Sequence, residues 1–460
     1  MNAMRVTFLL AAAAVGAAGQ SPYGGSVPDP QAAGSAAGLT LKDAIRLALK
    51  NNLGALVADE NSRSARGQRL VALSLLLPQV DARVQQSSIQ NNLAAFGFSG
   101  FPGINPIVGP FSLFDARVGL SQQILNLQSL NRSRAGAENE RAAVLEAQDA
   151  RDTVVLVATS LYLDAVAGES RIEAAEARVK SAQALYEQAA SYKQSGVVAG
   201  IDVLRAEVQL RAQKQRLIAY RNEFEKQKLR LGRAIGLPDG AAVKLADAMP
   251  AGDAAAVPKA EAAMGEALKT RMDFQSLQAR VKAAEFARKA AGAERLPTVA
   301  FNADYGTIGK APDNSHGTFT AGVSMRVPVF EGGRIKGAEQ EADAALGKLK
   351  AQLADLRGRI EFDVRSAELD LQAASDQLEV ARGAAELARR QQEQARDRFA
   401  AGVTSNLEVV QAQEAVAVAD ENLISSLLAS NLAKAALARA IGASEKNIPA
   451  FLAGTPTGSR

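Results

Sequence analysis

Residues 319–334 read FTAGVSMRVPVFEGGR, and the fold turns on how this stretch is understood. Phe319, Ala321, Val323, Met325 and Val327 fall on one side of an extended chain, while Thr320, Ser324 and Arg326 fall on the other. Alternation with a period of two is a strand pattern. Pro328 ends it, Gly332 and Gly333 supply a bend, and a helical pattern starts at Arg334. A strand of about ten residues with one apolar and one polar face suits a membrane-spanning strand between lipid and water. The three glycines Gly332, Gly333 and Gly337 do not make a dinucleotide site. Such a site needs a buried βαβ unit with a helix of ordinary length, and neither is present in the pattern.

Three further stretches alternate in the same way. Val80, Ala82 and Val84 oppose Asp81 and Arg83; Phe114, Ala116, Val118 and Leu120 oppose Asp115, Arg117 and Ser121. Val299, Phe301, Ala303 and Tyr305 oppose Asn302 and Asp304. The expected strands cover about 79–90, 113–124, 298–308 and 318–329. A soluble sheet packed on one face shares this pattern, but no other segment offers a core partner for it. Four strands cannot close a barrel, since the smallest membrane barrels have about eight, and open edges are not tolerated in lipid. Several copies must therefore combine, and three copies with twelve strands are a plausible closure. The expected hairpin tips are residues 91–111 and 309–317, the second holding His316 as a loop residue.

The strands sit inside a tandem duplication. Leu163-Asp164 recurs as Leu369-Asp370, Gly196-Val197 as Gly402-Val403, and Arg233-Ala234-Ile235-Gly236 as Arg439-Ala440-Ile441-Gly442, all 206 positions on. Earlier parts align at a shift of 219, pairing Leu77-Pro78 with Leu296-Pro297, so the first copy carries an insertion between Pro78 and about Ile124. Repeats expose architecture before motifs do. Each copy contains a very long helical stretch, roughly 128–195 and 334–398. At ~1.5 Å per residue each is on the order of 100 Å long. Ile360, Val364, Ala367, Leu371, Ala374, Leu378 and Ala381 alternate steps of four and three, and their counterparts 206 earlier are all apolar or small. That ladder demands a neighbouring helix, and its Ala and Gly content implies close approach. A second helix returns to about Leu237 or Ile441.

Composition narrows the function. One His and no Cys in 460 residues remove most metal and thiol chemistry. No metal or cofactor is expected. A formal charge of +4, with both signs interleaved, is a solvated helical surface and no nucleic-acid footprint. The N-terminal MNAMRVTFLLAAAAVGAAGQ reads as a secretory signal peptide over 1–19, followed by a flexible segment over 20–38. After it no run of 18 apolar residues occurs, so membrane insertion is expected to use strands.

Duplicated halves with VPVFEGGR (327–334) and RFAAGVTSNLEVVQAQ (398–413) resemble the outer-membrane efflux, or TolC-like channel-tunnel, family over roughly residues 39–445. The first copy resembles it less closely, since QQILNLQS lacks the Pro and the Gly pair. The resemblance implies an α+β membrane protein: a homotrimer with a twelve-stranded β-barrel in outer-membrane lipid and an α-helical tunnel across the periplasm. The repeats then cover 39–237 and 259–442, with an equatorial linker at 238–258 and a C-terminal tail at 443–460. The implied partners are a periplasmic adaptor and an inner-membrane transporter. Adaptor docking falls on the tips, at Gly196, Val197, Val198, Gly402, Val403 and Thr404. The entrance gate falls on Asp202, Phe399, Glu408 and Gln411, and Pro328, Gly332 and Gly333 form the strand-to-helix bend.

Read from the residues alone, Gly196 and Gly402 suit left-handed helix C-caps. Ser405-Asn406-Leu407-Glu408 reads as a capping box. Asp202 sits in the equivalent first turn, where a carboxylate is favoured, although Ala199 offers no capping hydroxyl. The family instead implies a ring of three Glu408 side chains at the entrance, which attracts cations. Gln411 stands where the best-known member has a second acid, Phe399 replaces a gate Tyr, and Thr404 replaces a gate Arg. Closure by packing rather than charge pairing is the expectation. The function expected is a passive exit duct for small toxic molecules. The alternatives are the outer-membrane component of protein secretion and a periplasmic coiled-coil structural protein. No nucleophile or acid pair converges, so no enzyme is expected.

Overall fold

The computed structural model describes residues 22–29, 38–97, 105–196, 199–238, 241, 243–250, 260–442, 444–445, 448 and 452. The expected signal peptide, most of the 238–258 linker's second half and most of the tail lie outside them. The chain divides into two compact units, one from Met1–Asn61, Val144–Gln275 and Ala354–Arg460, the other from Ser62–Ala143 and Ser276–Leu353. In chain order the elements are α1 (Leu41–Asn51), α2 (Leu53–Ser74), β1 (Gln79–Asn92), β2 (Ile107–Leu125), α3 (Leu127–Gln194) and α4 (Gly200–Ile235). The second copy supplies α5 (Ala260–Thr270), α6 (Met272–Ala293), β3 (Thr298–Ala311), β4 (Asn314–Arg326), α7 (Arg334–Ala400) and α8 (Asn406–Ile441).

The smaller unit holds one antiparallel sheet in the order β1-β2-β3-β4. Its register puts Ala82, Val118, Tyr305 and Phe319 in one row, and Arg83, Arg117, Gly306 and Thr318 in the next. Directly paired residues share a face, so the apolar rows and the polar rows segregate as the alternation requires. Tyr305, Phe319, Val323, Met325, Val80 and Val84 are all exposed on the apolar face. On the polar face Arg117 bridges Asp115 and Asp304, each at 2.7 Å, which ties the first-copy strand β2 to the second-copy strand β3. Among the described residues β1 and β4 each keep one edge without a strand partner. Beyond the sheet, Glu294 accepts from Arg334 at 2.6 Å and from Arg132 at 3.4 Å, and Arg334 also donates to Glu331 at 2.8 Å. This fork holds the turn from β4 into α7, where Gly332 and Gly333 have φ of 59° and 87°.

The β3–β4 connection is tighter than the expected 309–317 tip. Only Pro312 and Asp313 separate the strands, and His316 pairs with Ile308 inside β4. Ladder pairing continues through the polar residues of this segment, with Gly309 opposite Ser315 and Ala311 opposite Asn314.

In the larger unit the predicted ladder is the core. Ile360, Val364, Leu371 and Leu378 are buried, as are Val154, Ala158, Ala165 and Ala175 in the first copy. Gly168 shows why small residues are needed there: a Cβ on it would lie 2.1 Å from Gln227 Oε1 on α4. An 18-residue window of α3 is apolar enough to cross a membrane by length and composition. Over half of that window, 56%, is buried by neighbouring segments, as in the core helix of a packed bundle. Residues 22–29 depart from the expected flexible lead-in. Asp29 N–H donates to Gly236 O at 3.0 Å, Lys50 pairs with Asp29 at 2.7 Å, and Asn52 Nδ2 donates to Tyr23 O at 2.7 Å. The first of these bonds meets the carbonyl at the end of α4, and the N–H of Val27 donates to Asn51 O at 2.9 Å at the end of α1, where terminal carbonyls have no partner within their own helix. Leu39 pairs in parallel with Leu245, and the Tyr162 hydroxyl donates to Leu39 O and Asp247 Oδ2, each at 2.9 Å.

Candidate functional site: the paired hairpin tips

Both long helices end on a left-handed glycine. Gly196 has φ of 75° and Gly402 has φ of 70°. After α7 the N–H of Val403 donates to Arg398 O at 2.9 Å and that of Gly402 to Phe399 O at 3.0 Å. This 6→1 and 5→2 pair is a Schellman closure, which satisfies carbonyls left free at the helix end. Val403, just beyond it, is 69% exposed. Val197 and Val198 lie outside the described residues. The turn expected to dock the adaptor is therefore described in full in its second copy only, where Thr404 is half-buried.

The first turns of the two return helices are wired differently from each other. At α8, Ser405 occupies the N-cap position with extended backbone, but its hydroxyl makes no capping bond. The capping box read from the sequence is thus not formed. Glu408 turns instead to Thr404 Oγ1, which donates to Oε2, and to Arg398 Nη1, which donates to Oε1 at 3.0 Å. A cation and a hydroxyl one turn away outcompete the backbone N–H for the carboxylate, because charge-assisted bonds are the stronger ones. At α4, Ala199 makes no side-chain cap, and Asp202 accepts from Arg205 Nη1 at 3.3 Å.

Phe399 joins the two tips. It is buried in a cluster with Leu185, Ala189, Ala206, Ala395, Val409 and Ala412, drawn from both copies. Its ring lies 5.9 Å from that of Tyr192, tilted by 45°. Asn406, fully buried, donates from Nδ2 to Asp202 O at 2.8 Å and so fastens one return helix to the other. Gln411 is exposed and takes no part in this cluster. Sequence reasoning singled out Phe399, Asp202 and Glu408 but passed over Tyr192, Asn406 and Arg398. Tyr192 had a signal, being an aromatic one turn before a tip in an aromatic-poor chain. Asn406 had none, since it stands where a capping box would place an unremarkable first-turn residue.

Above the tip the copies are held by ions. Arg216 grips Glu414 with two bonds of 2.8 and 3.0 Å, and Arg171 Nε donates to Glu421 at 2.9 Å. The bidentate bond from Arg216 is the main cause that lowers the Glu414 pKa below the usual carboxylate range. Among the described residues no group of three or more His, Cys, Asp or Glu side chains could hold a metal ion.

A model of the outer membrane efflux protein family matches residues 44–237 and 263–443, one match on each copy. The chain belongs to this family. Its place is the outer membrane, and the family is one of transport channels. A relative in Pseudomonas putida, the pyoverdine export outer membrane protein OpmQ, is 25% identical over 313 residues. That match covers 66% of this chain and 64% of OpmQ, just under two thirds of the relative. Among solved structures, the Campylobacter jejuni CmeC outer membrane channel superposes with a TM-score of 0.76 at 18% identity, covering 91% of this chain and 90% of CmeC. The Neisseria gonorrhoeae MtrE outer membrane channel gives 0.72 at 18%, covering 88% and 90%. At these identities the likeness fixes the fold: duplicated helical hairpins with a four-stranded sheet, as in the family's tunnel-and-barrel channels.

Proposed function

We propose that this protein is the outer-membrane exit duct of a tripartite efflux system, passively releasing small molecules received from an inner-membrane transporter through a periplasmic adaptor. Three copies supply twelve strands, closing the edges that β1 and β4 leave free. The observation that carries the proposal is the sheet itself, with exposed aromatic and aliphatic side chains on one face, ions on the other, and two unpaired edges. Lipid tolerates no open edge, and a polar inner face suits a water-filled barrel. The hairpin tips form the entrance, where Phe399 packing and the Glu408 carboxylates set closure and cation preference. Adaptor docking falls on the Gly402–Val403–Thr404 turn and its first-copy equivalent. The duct carries out no reaction of its own, so energy comes from the transporter. Kinship with a pyoverdine exporter favours small-molecule cargo over secreted protein.

Deleting the gene and measuring susceptibility to dyes, antibiotics and metals, beside a comparison of secreted proteins, tests this. Raised susceptibility with an unchanged secretome is expected. A lost secreted protein with unchanged susceptibility overturns the small-molecule reading.

A further inference from the structure

The duplication makes the seam between copies readable from one protomer. If three chains form the duct proposed above, on which this inference rests, six hairpins stand around one ring and each packs on the next. Half of those junctions lie inside a protomer, where the first-copy hairpin α3–α4 meets the second-copy hairpin α7–α8. The other half must join α7–α8 to α3–α4 of the next copy, a head-to-tail contact that closes the ring. Because the hairpins are repeats, residues 206 positions apart occupy equivalent places on the two kinds of junction.

The junction inside the protomer is ionic. Arg216 meets Glu414, Arg171 meets Glu421, Tyr220 OH donates to Glu421 at 3.4 Å, and Arg396 donates to Ser181. The equivalents on the faces left open are Asn422 for Arg216, Val208 for Glu414, Gln377 for Arg171 and Gln215 for Glu421. Ser426 stands for Tyr220, Ala190 for Arg396 and Leu387 for Ser181. Over this stretch each of these charges is replaced by a neutral group, whereas farther along the hairpins the inner pair Arg439–Asp149 keeps charged equivalents in Arg233 and Asp355. The same faces expose aliphatic side chains: Leu387 is 66% exposed and Val208 is 67% exposed in the isolated protomer. Leu204, 59% exposed, corresponds to Val410, which packs against the tip cluster.

We propose that the face carrying Gln377, Leu387 and Asn422 packs on the face carrying Ala190, Gln215 and Val208 of the partner subunit, forming over this stretch a seam that lacks the ion pairs of the inner junction. Along this part of the hairpins the ring then alternates two kinds of junction, charged within each chain and neutral between chains. At the tip the exchange reverses. The ring pair Tyr192 and Phe399 corresponds to Arg398 and Lys193, of which Arg398 already pairs with Glu408 of its own chain.

The test transplants the inner ion pair onto the outer seam in the full-length, detergent-solubilised protein. Val208→Glu alone should lose most of the trimer on size exclusion. Val208→Glu combined with Asn422→Arg should restore it and make it more sensitive to salt than the original trimer. The chain has no cysteine, so Val208→Cys with Asn422→Cys and a short bifunctional maleimide reports the same contact without adding charge. Interchain trimers on denaturing gels are expected. A full trimer for Val208→Glu, or no interchain product from the cysteine pair in a protein that is trimeric, overturns the seam while leaving the duct standing. An unmodified protein that runs as a monomer in detergent overturns both.

Discussion

The two hairpin tips end and restart their helices alike and differ in their chemistry. Each ends a long helix on a glycine at a φ near +70°, and each begins its return helix with an acid in the first turn. In the first copy that acid, Asp202, is tucked away: its side chain is 14% exposed beside Arg205, and its backbone carbonyl is taken by Asn406. In the second copy Glu408 is 36% exposed and faces Arg398, itself 56% exposed. One tip is therefore turned toward its neighbour in the same chain, and the other toward solvent. Duplication preserved the geometry that a loop needs and released the side chains to take separate roles.

The sharpest way to break this comparison is Phe399→Ala. Removing a buried aromatic that joins both tips should cost about 3–5 kcal/mol locally. It should appear as faster amide exchange in α3 and α4 near their tips as well as in α7, with higher basal conductance in planar bilayers. Acceleration confined to α7 and α8 means that Phe399 does not fasten the first tip. Next in size are Gly402→Ala and Gly196→Ala. Nothing lies within 4 Å of a Cβ added at either glycine, so only the left-handed backbone resists. Each should lose roughly 1–2 kcal/mol, and the two losses should match. A clear inequality in thermal unfolding would show that the two turns are held differently despite their common φ.

Much of this was legible in the chain. Period-two alternation found all four strands, because a one-residue slip would turn every side chain to the other face, but β2 starts at Ile107, inside the expected 91–111 tip. The four-three ladder placed the long helices, since every rung from Ile360 to Ala381 is buried. What failed depended on competition between near-equal partners. Ser405 and Glu408 have the spacing of a capping box, but Thr404 and Arg398 reach the same carboxylate, and no spacing rule ranks those bonds. His316 went to a loop because residues 309–317 are rich in turn formers, whereas ladder pairing carried the strand to within two residues of the tip. Residues 22–29 look like a linker by composition. Their order comes from backbone groups at the ends of α1 and α4, which composition does not display.

The smallest effect separates the two acids most cleanly. The Glu408–Arg398 pair is exposed enough that its loss should cost no more than about 0.5 kcal/mol, so Glu408→Gln should leave thermal stability nearly unchanged. In the proposed trimer its three copies line the entrance, and the substitution removes their charge. Cation block and cation preference should therefore fall in single-channel recordings. Asp202→Asn should do the reverse. With its side chain largely covered and its carbonyl still bonded to Asn406, it should leave cation preference as it was. Its trace should instead be faster exchange where the two return helices meet. If Asp202→Asn lowers cation preference as much as Glu408→Gln does, both acids face the opening and the division of labour between the tips is lost. If neither changes it, Glu408 serves only to hold Arg398 and Thr404, and the entrance discriminates by packing alone.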